Sequence, residues 1–237
     1  MWLQACVNGS RRPGEHPALP VTPGQLADDV RAVVAAGADG VHLHVKDRDG
    51  ADTLDGAHLA AVLAAVRAAS PGTELGVTTG AWALPDPAGR VAAVRSWTAL
   101  PDVASVNWHE PGADDVAAVL LSRGVGVEAG LWHTEGARAW LASPHAQDCT
   151  RVLVELPDDP DDGRTAARAE RLLQLVGDVG VPVLLHGEGA SCWPALREAG
   201  RRHLATRIGL EDVLVLPDGS LAGDNADLVR AAVSLLG

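Results

Sequence analysis

Eight short apolar segments, each followed by a segment of helical period, predict an α/β fold of the (β/α)8 TIM barrel type for this 237-residue chain. Polar residues recur at the carboxyl ends of the apolar segments, which is where a barrel carries its active site. The alternative is an open doubly wound sheet, but no G-x-G-x-x-G stretch follows the first apolar segment. Because no linker or low-complexity stretch interrupts the pattern, we expect one domain over residues 1–237.

The apolar segments have the short, Val- and Leu-rich character of strands in a parallel sheet that is covered on both faces. Thr22 followed by Pro23 fits an N-cap and a proline at the first helical position, and Asp224 or Asn225 could cap the last helix. In chain order, we predict strands over residues 3–8, 40–45, 74–79, 103–108, 124–131, 151–156, 181–186 and 204–209. Segments of helical period predict helices over 23–36, 56–69, 87–99, 113–123, 134–142, 164–177, 191–200 and 224–236.

Composition excludes several classes of function. The chain carries 31 acidic and 19 basic residues, a net charge of −12, which argues against binding to the phosphate backbone of nucleic acids. No apolar run approaches the roughly 18 residues that span a bilayer, and the first residues do not read as a signal sequence. Cys6, Cys149 and Cys192 are odd in number and form no C-x-x-C pair. We therefore expect a soluble cytoplasmic protein with neither a nucleic acid nor a membrane as partner.

The segment GVHLHVKD places two histidines in a predicted strand. His42 and His44 project from the same face, about 6.5 to 7 Å apart at the backbone. Strands 2 and 8 both flank strand 1 when a barrel closes, so Glu211, which follows strand 8, can complete a metal site. Two imidazoles and one carboxylate suit catalytic Zn²⁺, although the same three ligands could also bind Fe²⁺ or Mn²⁺. The alternative is a pair of core histidines bonded to the backbone.

Several stretches together resemble the β-keto acid cleavage enzymes, a family of zinc-dependent barrels. The resemblance runs from the first strand to the last helix. It is carried by ACVNGSR, HPALPVTPGQLADDVRAVVAAGADGVHLHVKDRDG, TTG, ASVNW and TRIGLEDVLVLPDGSLAGDNADLV, which occur in the family's order and spacing.

The resemblance implies that His42, His44 and Glu211 bind zinc, which holds the keto oxygen and carboxylate of a β-keto acid. It implies that Asp212 is the base and that Arg207 supports it. The enolate would attack acetyl-CoA, and cleavage would release acetoacetate and a new acyl-CoA. A carboxylate beside a guanidinium stays ionised and can act as a base, although Asp212 and Arg207 could instead form a structural ion pair.

The resemblance also suggests further residues of the site. Thr79 occupies the position of a hydroxyl residue that handles the thioester, and Asn107 and Glu128 match polar positions that line the pocket. Asn8 and Arg11 follow strand 1, where the family sets specificity for the substrate side chain.

Other strand ends supply additional candidates. Thr78 and His186 are candidates for substrate binding, and the turn 187–191 could offer N–H groups to a phosphate. Three tryptophans could roof the pocket, although plain packing is the preferred explanation: Trp82, Trp108 and Trp132.

The stretch after Glu128 is shorter than its counterpart in the family, on the side where the family receives CoA. A metal-dependent aldolase or decarboxylase that acts without CoA therefore stays open as an alternative. A non-catalytic barrel that binds a metal or a carboxylate is a third possibility. Because family members are usually assemblies, we expect a homo-oligomer.

Overall fold

The computed structural model describes residues 1–177 and 179–237, within which eight parallel strands form one sheet, each followed by a helix. The strands are β1 (Leu3–Cys6), β2 (Gly40–Leu43), β3 (Glu74–Thr78), β4 (Val103–Asn107), β5 (Gly126–Leu131), β6 (Arg151–Leu156), β7 (Val183–Gly187) and β8 (Thr206–Ile208). The helices are α1 (Pro23–Ala36), α2 (Gly56–Ala69), α3 (Pro87–Ser96), α4 (Ala113–Ser122), α5 (Thr134–Ala142), α6 (Asp162–Val176), α7 (Cys192–Arg202) and α8 (Asn225–Leu236).

The sheet closes into a barrel. The strand order is β7-β6-β5-β4-β3-β2-β1-β8, so β1 lies between β2 and β8. A parallel bridge between Leu184 and Ala205 joins β7 to the residue just before β8, and Thr206 Oγ1 donates a hydrogen bond of 2.8 Å to the carbonyl of Leu185. The predicted (β/α)8 TIM barrel is therefore confirmed. No helix in the described part of the chain is long and apolar enough to cross a bilayer.

The predicted bounds of β6, α1, α2 and α5 match the observed ones, whereas several strands end earlier than predicted. β2 ends early because the side chain of Asn8 takes the place of a neighbouring strand as the hydrogen-bond partner of the backbone. The backbone N–H of His44 donates to Asn8 Oδ1 at 2.8 Å, and Asn8 Nδ2 donates back to the carbonyl of His44 at 2.9 Å. The polar strand ends that mark the site therefore also terminate the ladder of backbone hydrogen bonds.

Two helix starts were predicted from their capping residues. Thr22 accepts a hydrogen bond from the backbone of Gln25 and forms a capping box with it, which confirms the predicted start of α1. Asp224 caps α8 by accepting from the N–H of Asp227 at 2.7 Å. The alternative, Asn225, is fully buried and instead joins α8 to the barrel, because it accepts from the N–H of Leu210 and donates to the carbonyl of Val7.

The apolar core lies between the sheet and the surrounding helices, where alternate strand residues such as Val41, Leu43 and Val152 are buried. The other face of each strand points into the barrel, and there the upper positions are polar. Gly130 belongs to this inner face. A Cβ at Gly130 would lie 2.3 Å from Asn107 Oδ1 and 2.7 Å from Glu155 Oε1, so glycine makes room for two polar groups at the mouth.

Candidate metal centre and active site

The predicted metal ligands come together. His42, His44 and Glu211 each offer a ligand atom, and these atoms all lie within 4.8 Å of one another. His44 Nε2 is 3.8 Å from Glu211 Oε1. Their juxtaposition follows from chain closure, because β2 and β8 are the two neighbours of β1. Gly9, with φ of +54°, allows the approach, since a Cβ there would lie 2.3 Å from the Cγ of Glu211.

His44 is oriented by a buried carboxylate. Its Nδ1 is 2.8 Å from Asp52 Oδ2, and Lys46 Nζ donates to the other oxygen of Asp52 at 2.5 Å. Burial acts to raise the pKa of Asp52, but the hydrogen bonds and charges of His44 and Lys46 outweigh it and lower the pKa. Asp52 therefore stays ionised and accepts the Nδ1 proton, which leaves the Nε2 lone pair of His44 for a metal.

His42 is kept neutral. Its Nδ1 lies 3.9 Å from Glu128 Oε2, and neither atom has a hydrogen-bond partner in the described part of the chain. Burial and then the charge of Arg207 hold the pKa of His42 well below its usual value. A neutral imidazole is the form that binds a metal.

The residues present fit a divalent metal of the zinc type. Two neutral imidazole nitrogens and one carboxylate are the donor set of many catalytic zinc sites. Glu211 Oε2 is buried without a hydrogen-bond partner among the described residues, as expected of an oxygen arranged for a cation. This orphaned oxygen and the second carboxylate behind His44 distinguish the cluster from two core histidines bonded to the backbone.

Arg207 joins this centre to the adjacent acid. Its Nη2 donates to Glu211 Oε1 and to Asp212 Oδ1, both at 2.9 Å, and its Nε lies 3.2 Å from Asp212 Oδ2. Asp212 is only 1% exposed and also accepts a hydrogen bond from the Cys6 thiol at 2.9 Å. Burial and then the charge of Asp212 hold the pKa of Cys6 well above its usual value, so the thiol keeps its proton. Glu211 lines the cavity and Asp212 does not, although both carboxylates accept from the same nitrogen, Nη2 of Arg207.

A cavity of about 230 Å³ opens at the carboxyl end of the barrel beside the metal centre. Among the residues proposed from the sequence, those that line it are His42, His44, Glu211, Arg207, Thr78 and Asn107. Asn107 is fixed by two partners, since it donates to Glu110 Oε1 at 3.0 Å and accepts from Trp132 Nε1 at 3.1 Å. The cavity has the size for a small organic acid, and both the predicted metal ligands and Arg207 line it.

The other residues proposed from the sequence lie behind the cavity wall. Asp212 lies behind Arg207, and Glu128 is bound below His42 by Gln4 at 2.9 Å and by Arg151 at 2.8 Å. His186 accepts from Arg207 Nε at 3.1 Å and does not line the cavity. These residues hold the lining side chains, and any direct contact with a substrate stays a prediction.

Three positions are engaged with the backbone instead of the cavity. Thr79 donates to the carbonyl of Ser105 at 2.7 Å, which turns its hydroxyl away from the mouth. Arg11 donates to the carbonyl of Leu210 and pairs with Glu15 at 3.3 Å, so it ties two loops together. Asn8 is fully buried and holds the backbone of His44 on both sides. This arrangement favours a positioning role for all three.

The turn 187–191 shows why a glycine-rich sequence alone does not make a phosphate site. Gly189 N–H donates to the carbonyl of Asp212 at 2.8 Å, and Ala190 N–H donates to Asp158 Oδ1 at 2.8 Å. Ser191 N–H donates to the carbonyl of Glu188 at 3.0 Å. These donors are already used within the protein.

Asp52, Ser10, Glu155 and Glu188 were not assigned to the site from the sequence, whereas Trp82 and Trp132 were proposed as a possible roof. Asp52 follows the histidine pair by eight positions, and a search for an acid near the metal ligands would have offered Asp47 and Asp49 equally. Trp82 is 45% exposed, lines the cavity and stacks on His44 with ring centroids 5.8 Å apart, so it forms a roof. Trp132 also lines the cavity. Ser10, Glu155 and Glu188 complete the wall at the ends of other strands.

Comparison with known proteins agrees with this geometry. Residues 1–117 match the family model described as beta-keto acid cleavage enzyme, which confirms the resemblance predicted from the sequence motifs. No protein of curated function matches the chain by sequence.

Solved structures share the fold at low sequence identity. The binary complex of ObcA with oxaloacetate has a TM-score of 0.71 and 17% identity, covering 92% of this chain and 63% of that one. The ternary complex of ObcA with a C4-CoA adduct and oxalate has a TM-score of 0.67 and 18% identity, again covering 92% and 63%. A type I 3-dehydroquinate dehydratase from Clostridium difficile has a TM-score of 0.68 and 12% identity, covering 99% and 90%. The present chain thus spans less than two thirds of the length of ObcA.

Proposed function

We propose that this chain, whose residues 1–117 match the β-keto acid cleavage enzymes, is a metal-dependent enzyme that cleaves a carbon–carbon bond of a β-keto acid. We propose zinc as the metal and acetyl-CoA as co-substrate, with acetoacetate and a new acyl-CoA as products. The observation that carries the proposal is the convergence of His42, His44 and Glu211 beside Arg207 on one cavity.

The cavity residues provide for binding of a keto acid. A bound divalent ion would polarise the keto group and stabilise the negative charge that develops on it. Arg207 presents a guanidinium to the cavity, a group suited to a carboxylate because of its planar fork of donors. Trp82 roofs the same space and restricts the entry of water.

Asp212 is the proposed base. In the proposed step the C–H bond between the keto and carboxylate groups breaks, its electron pair stays on the substrate as an enolate, and the proton forms an O–H bond with Asp212. Arg207 donates two hydrogen bonds to this carboxylate and holds it in place. Because Asp212 meets the cavity only behind Arg207, we propose that the guanidinium shifts toward the substrate carboxylate and opens the path of the proton.

The CoA half of the reaction is a separate part of the proposal. ObcA has been solved with oxaloacetate and with a CoA adduct, which supports a keto acid and CoA as substrate classes. The compact segment 129–150 favours a second candidate, an aldolase or decarboxylase that uses the same centre without CoA.

We also propose a cytoplasmic location and a homo-oligomeric assembly. Size-exclusion chromatography with light scattering would test the assembly.

Incubation of the zinc-loaded protein with a panel of β-keto acids, with and without acetyl-CoA, tests the function. Appearance of acetoacetate and a new acyl-CoA only with acetyl-CoA supports the first proposal. Products that appear without acetyl-CoA support the second. Binding without turnover of any keto acid, in protein of verified metal content, would contradict both and favour a binding protein.

A further inference from the structure

Two carboxylates of the cavity wall differ from the other acids of the barrel. Glu155, on β6, is 6% exposed, yet it has no arginine or lysine partner in the described part of the chain. The other buried carboxylates are paired: Glu128 with Arg151 at 2.8 Å, Asp159 with Arg164 at 2.7 Å and Asp212 with Arg207 at 2.9 Å. Glu188, which follows β7, is half-buried, and its carboxylate makes no hydrogen bond or ion pair with the described residues.

Glu155 lies beside a neutral group. His186 Nδ1 accepts a hydrogen bond from Arg207 Nε, so the imidazole proton resides on Nε2. This Nε2 is buried without a hydrogen-bond partner and lies 3.4 Å from Glu155 Oε2. Burial and then the charge of Arg207 lower the pKa of His186 to about 3, so the ring carries no compensating charge. His186 therefore lies beside the carboxylate without neutralising its charge.

The second oxygen of Glu155 faces open space. Glu155 Oε1 lies over Gly130, where no side chain intervenes, and Glu155 lines the cavity. In an eight-stranded barrel β6 lies opposite β2, so this oxygen faces the metal centre from the far wall. The end of a substrate that is directed away from the metal consequently meets Glu155 and Glu188.

The cavity has no spare cation at that end. Arg207 is the one cation among its described lining residues, and it is already bonded to Glu211 and Asp212. Arg11, a specificity candidate from the sequence, is bonded to Leu210 and Glu15 outside the cavity. A second carboxylate on the substrate would therefore lie against carboxylates of the protein, which is unfavourable in a site of low dielectric.

We infer that Glu155 and Glu188 determine specificity by selecting β-keto acids whose far end carries a hydrogen-bond donor, an ammonium or a hydroxyl, and by excluding dicarboxylic keto acids. The inference rests on the proposed function for the identity of the near end of the substrate. It separates this chain from ObcA, which has been solved with the dicarboxylate oxaloacetate.

Both groups are fully ionised, as the exclusion of a second carboxylate requires, only at a pH above their raised pKa values. Burial raises the pKa of Glu155 to about 7, opposed by Arg207 and reinforced by Glu211 and Asp212. Burial likewise raises the pKa of Glu188 to about 7, reinforced by Asp212 and Glu155. A ligand ammonium would replace the missing cation and favour the ionised forms.

The test is calorimetric binding to the zinc-loaded protein without acetyl-CoA. The probes are β-keto acids of equal length that end in an ammonium, a hydroxyl, a methyl or a carboxylate group. The wild-type protein should bind the ammonium- or the hydroxyl-ended probe at least about tenfold more tightly than the carboxylate-ended one. One hydrogen bond to a charged group changes a dissociation constant by about this factor. Glu155→Gln and Glu188→Gln should each reduce this ratio, whereas Glu170→Gln, at an exposed ion pair on α6, should leave it unchanged.

Equal or tighter binding of the carboxylate-ended probe would overturn the inference, as would failure of all four probes to bind. Retention of the wild-type ratio in both cavity variants would overturn it as well. Because Glu188 is half-buried, its variant keeps the test valid if Glu155→Gln does not fold. Selective binding without any cleavage would leave the inference standing and reject the proposed function instead.

Discussion

At the scale of single residues, the centre depends on side chains that lie behind the cavity wall. Asp52 holds His44 in one tautomer, Glu128 lies against His42, and the Cys6 thiol donates a hydrogen bond to Asp212. The contacts with His44 and His42 leave the Nε2 atom of each ring available. The chemistry of the cavity wall is therefore set by the layer of residues behind it.

Asp52→Asn is predicted to weaken zinc binding by about 10- to 100-fold, because the amide is a weaker acceptor and no longer selects the tautomer of His44. Competition with a chelating dye measures this affinity. Asp49→Asn, in the same loop but exposed, is the control and should bind zinc as the wild type does. Unchanged affinity of Asp52→Asn would remove Asp52 from the metal centre.

Asp212→Asn is predicted to retain the fold and the metal but to lower the rate of keto acid cleavage by about 10²- to 10⁴-fold, the usual effect of removing a general base. Circular dichroism and elemental analysis check the fold and the metal, and a product assay checks the rate. Asp218→Asn, in an exposed turn, should keep full activity. A rate within threefold of wild type would identify Asp212 and Arg207 as a structural ion pair.

At the scale of elements, α1 and α8 contact each other on the outside of the barrel, where its first and last strands meet. Asn225, at the start of α8, donates to Asp29 Oδ2 on α1 at 2.9 Å as well as to the carbonyl of Val7, which follows β1. Burial raises the pKa of Asp29 to about 7, with the hydrogen bond from Asn225 opposing and the charge of Asp224 adding to the effect. This helix pair therefore contains an acid whose ionisation is unfavourable in the folded state.

Between the unfolded pKa of about 3.9 and the folded pKa of about 7, Asp29 is protonated more often in the folded protein than in the unfolded chain. The free energy of unfolding therefore falls as the pH rises through this range. Asp29→Asn should raise the free energy of unfolding by roughly 2 to 4 kcal/mol at pH 8 and change it little at pH 4. Urea denaturation at both values measures the difference. Asp28→Asn, at the exposed neighbouring position, is the control and should show no such pH dependence.

At the scale of the whole molecule, a metal at this centre would link β2 to the segment after β8. Glu211 lies 167 residues after His44 in the chain, yet the two side chains are neighbours in the barrel. A metal that binds only the folded state stabilises it by mass action.

Removal of zinc by a chelator is therefore predicted to lower the Tm. A free zinc concentration 100-fold above Kd contributes about 2.7 kcal/mol, which corresponds to a shift of roughly 5–10 °C for a domain of this size. Differential scanning fluorimetry with and without the chelator measures the shift. His44→Ala should melt at one temperature under both conditions, whereas His58→Ala, on the exposed side of α2, should respond as the wild type does. A chelator effect that persists in His44→Ala would place the metal elsewhere.

The sequence by itself determined the barrel, its strand and helix order, the pairing of His42 with His44 and the identity of Glu211 as their partner. Period-2 and period-3.6 patterns are local properties, and closure of eight strands then dictates which ends become neighbours.

Only the tertiary structure decided which of the polar residues at the strand ends face the cavity. Thr78 lines it while Thr79 turns to a backbone carbonyl, Arg11 is used between loops, and Glu155 is left without a cation. The partner of each group comes from a distant part of the chain, so no local pattern records it. The direction of a side chain is a property of the residues packed around it.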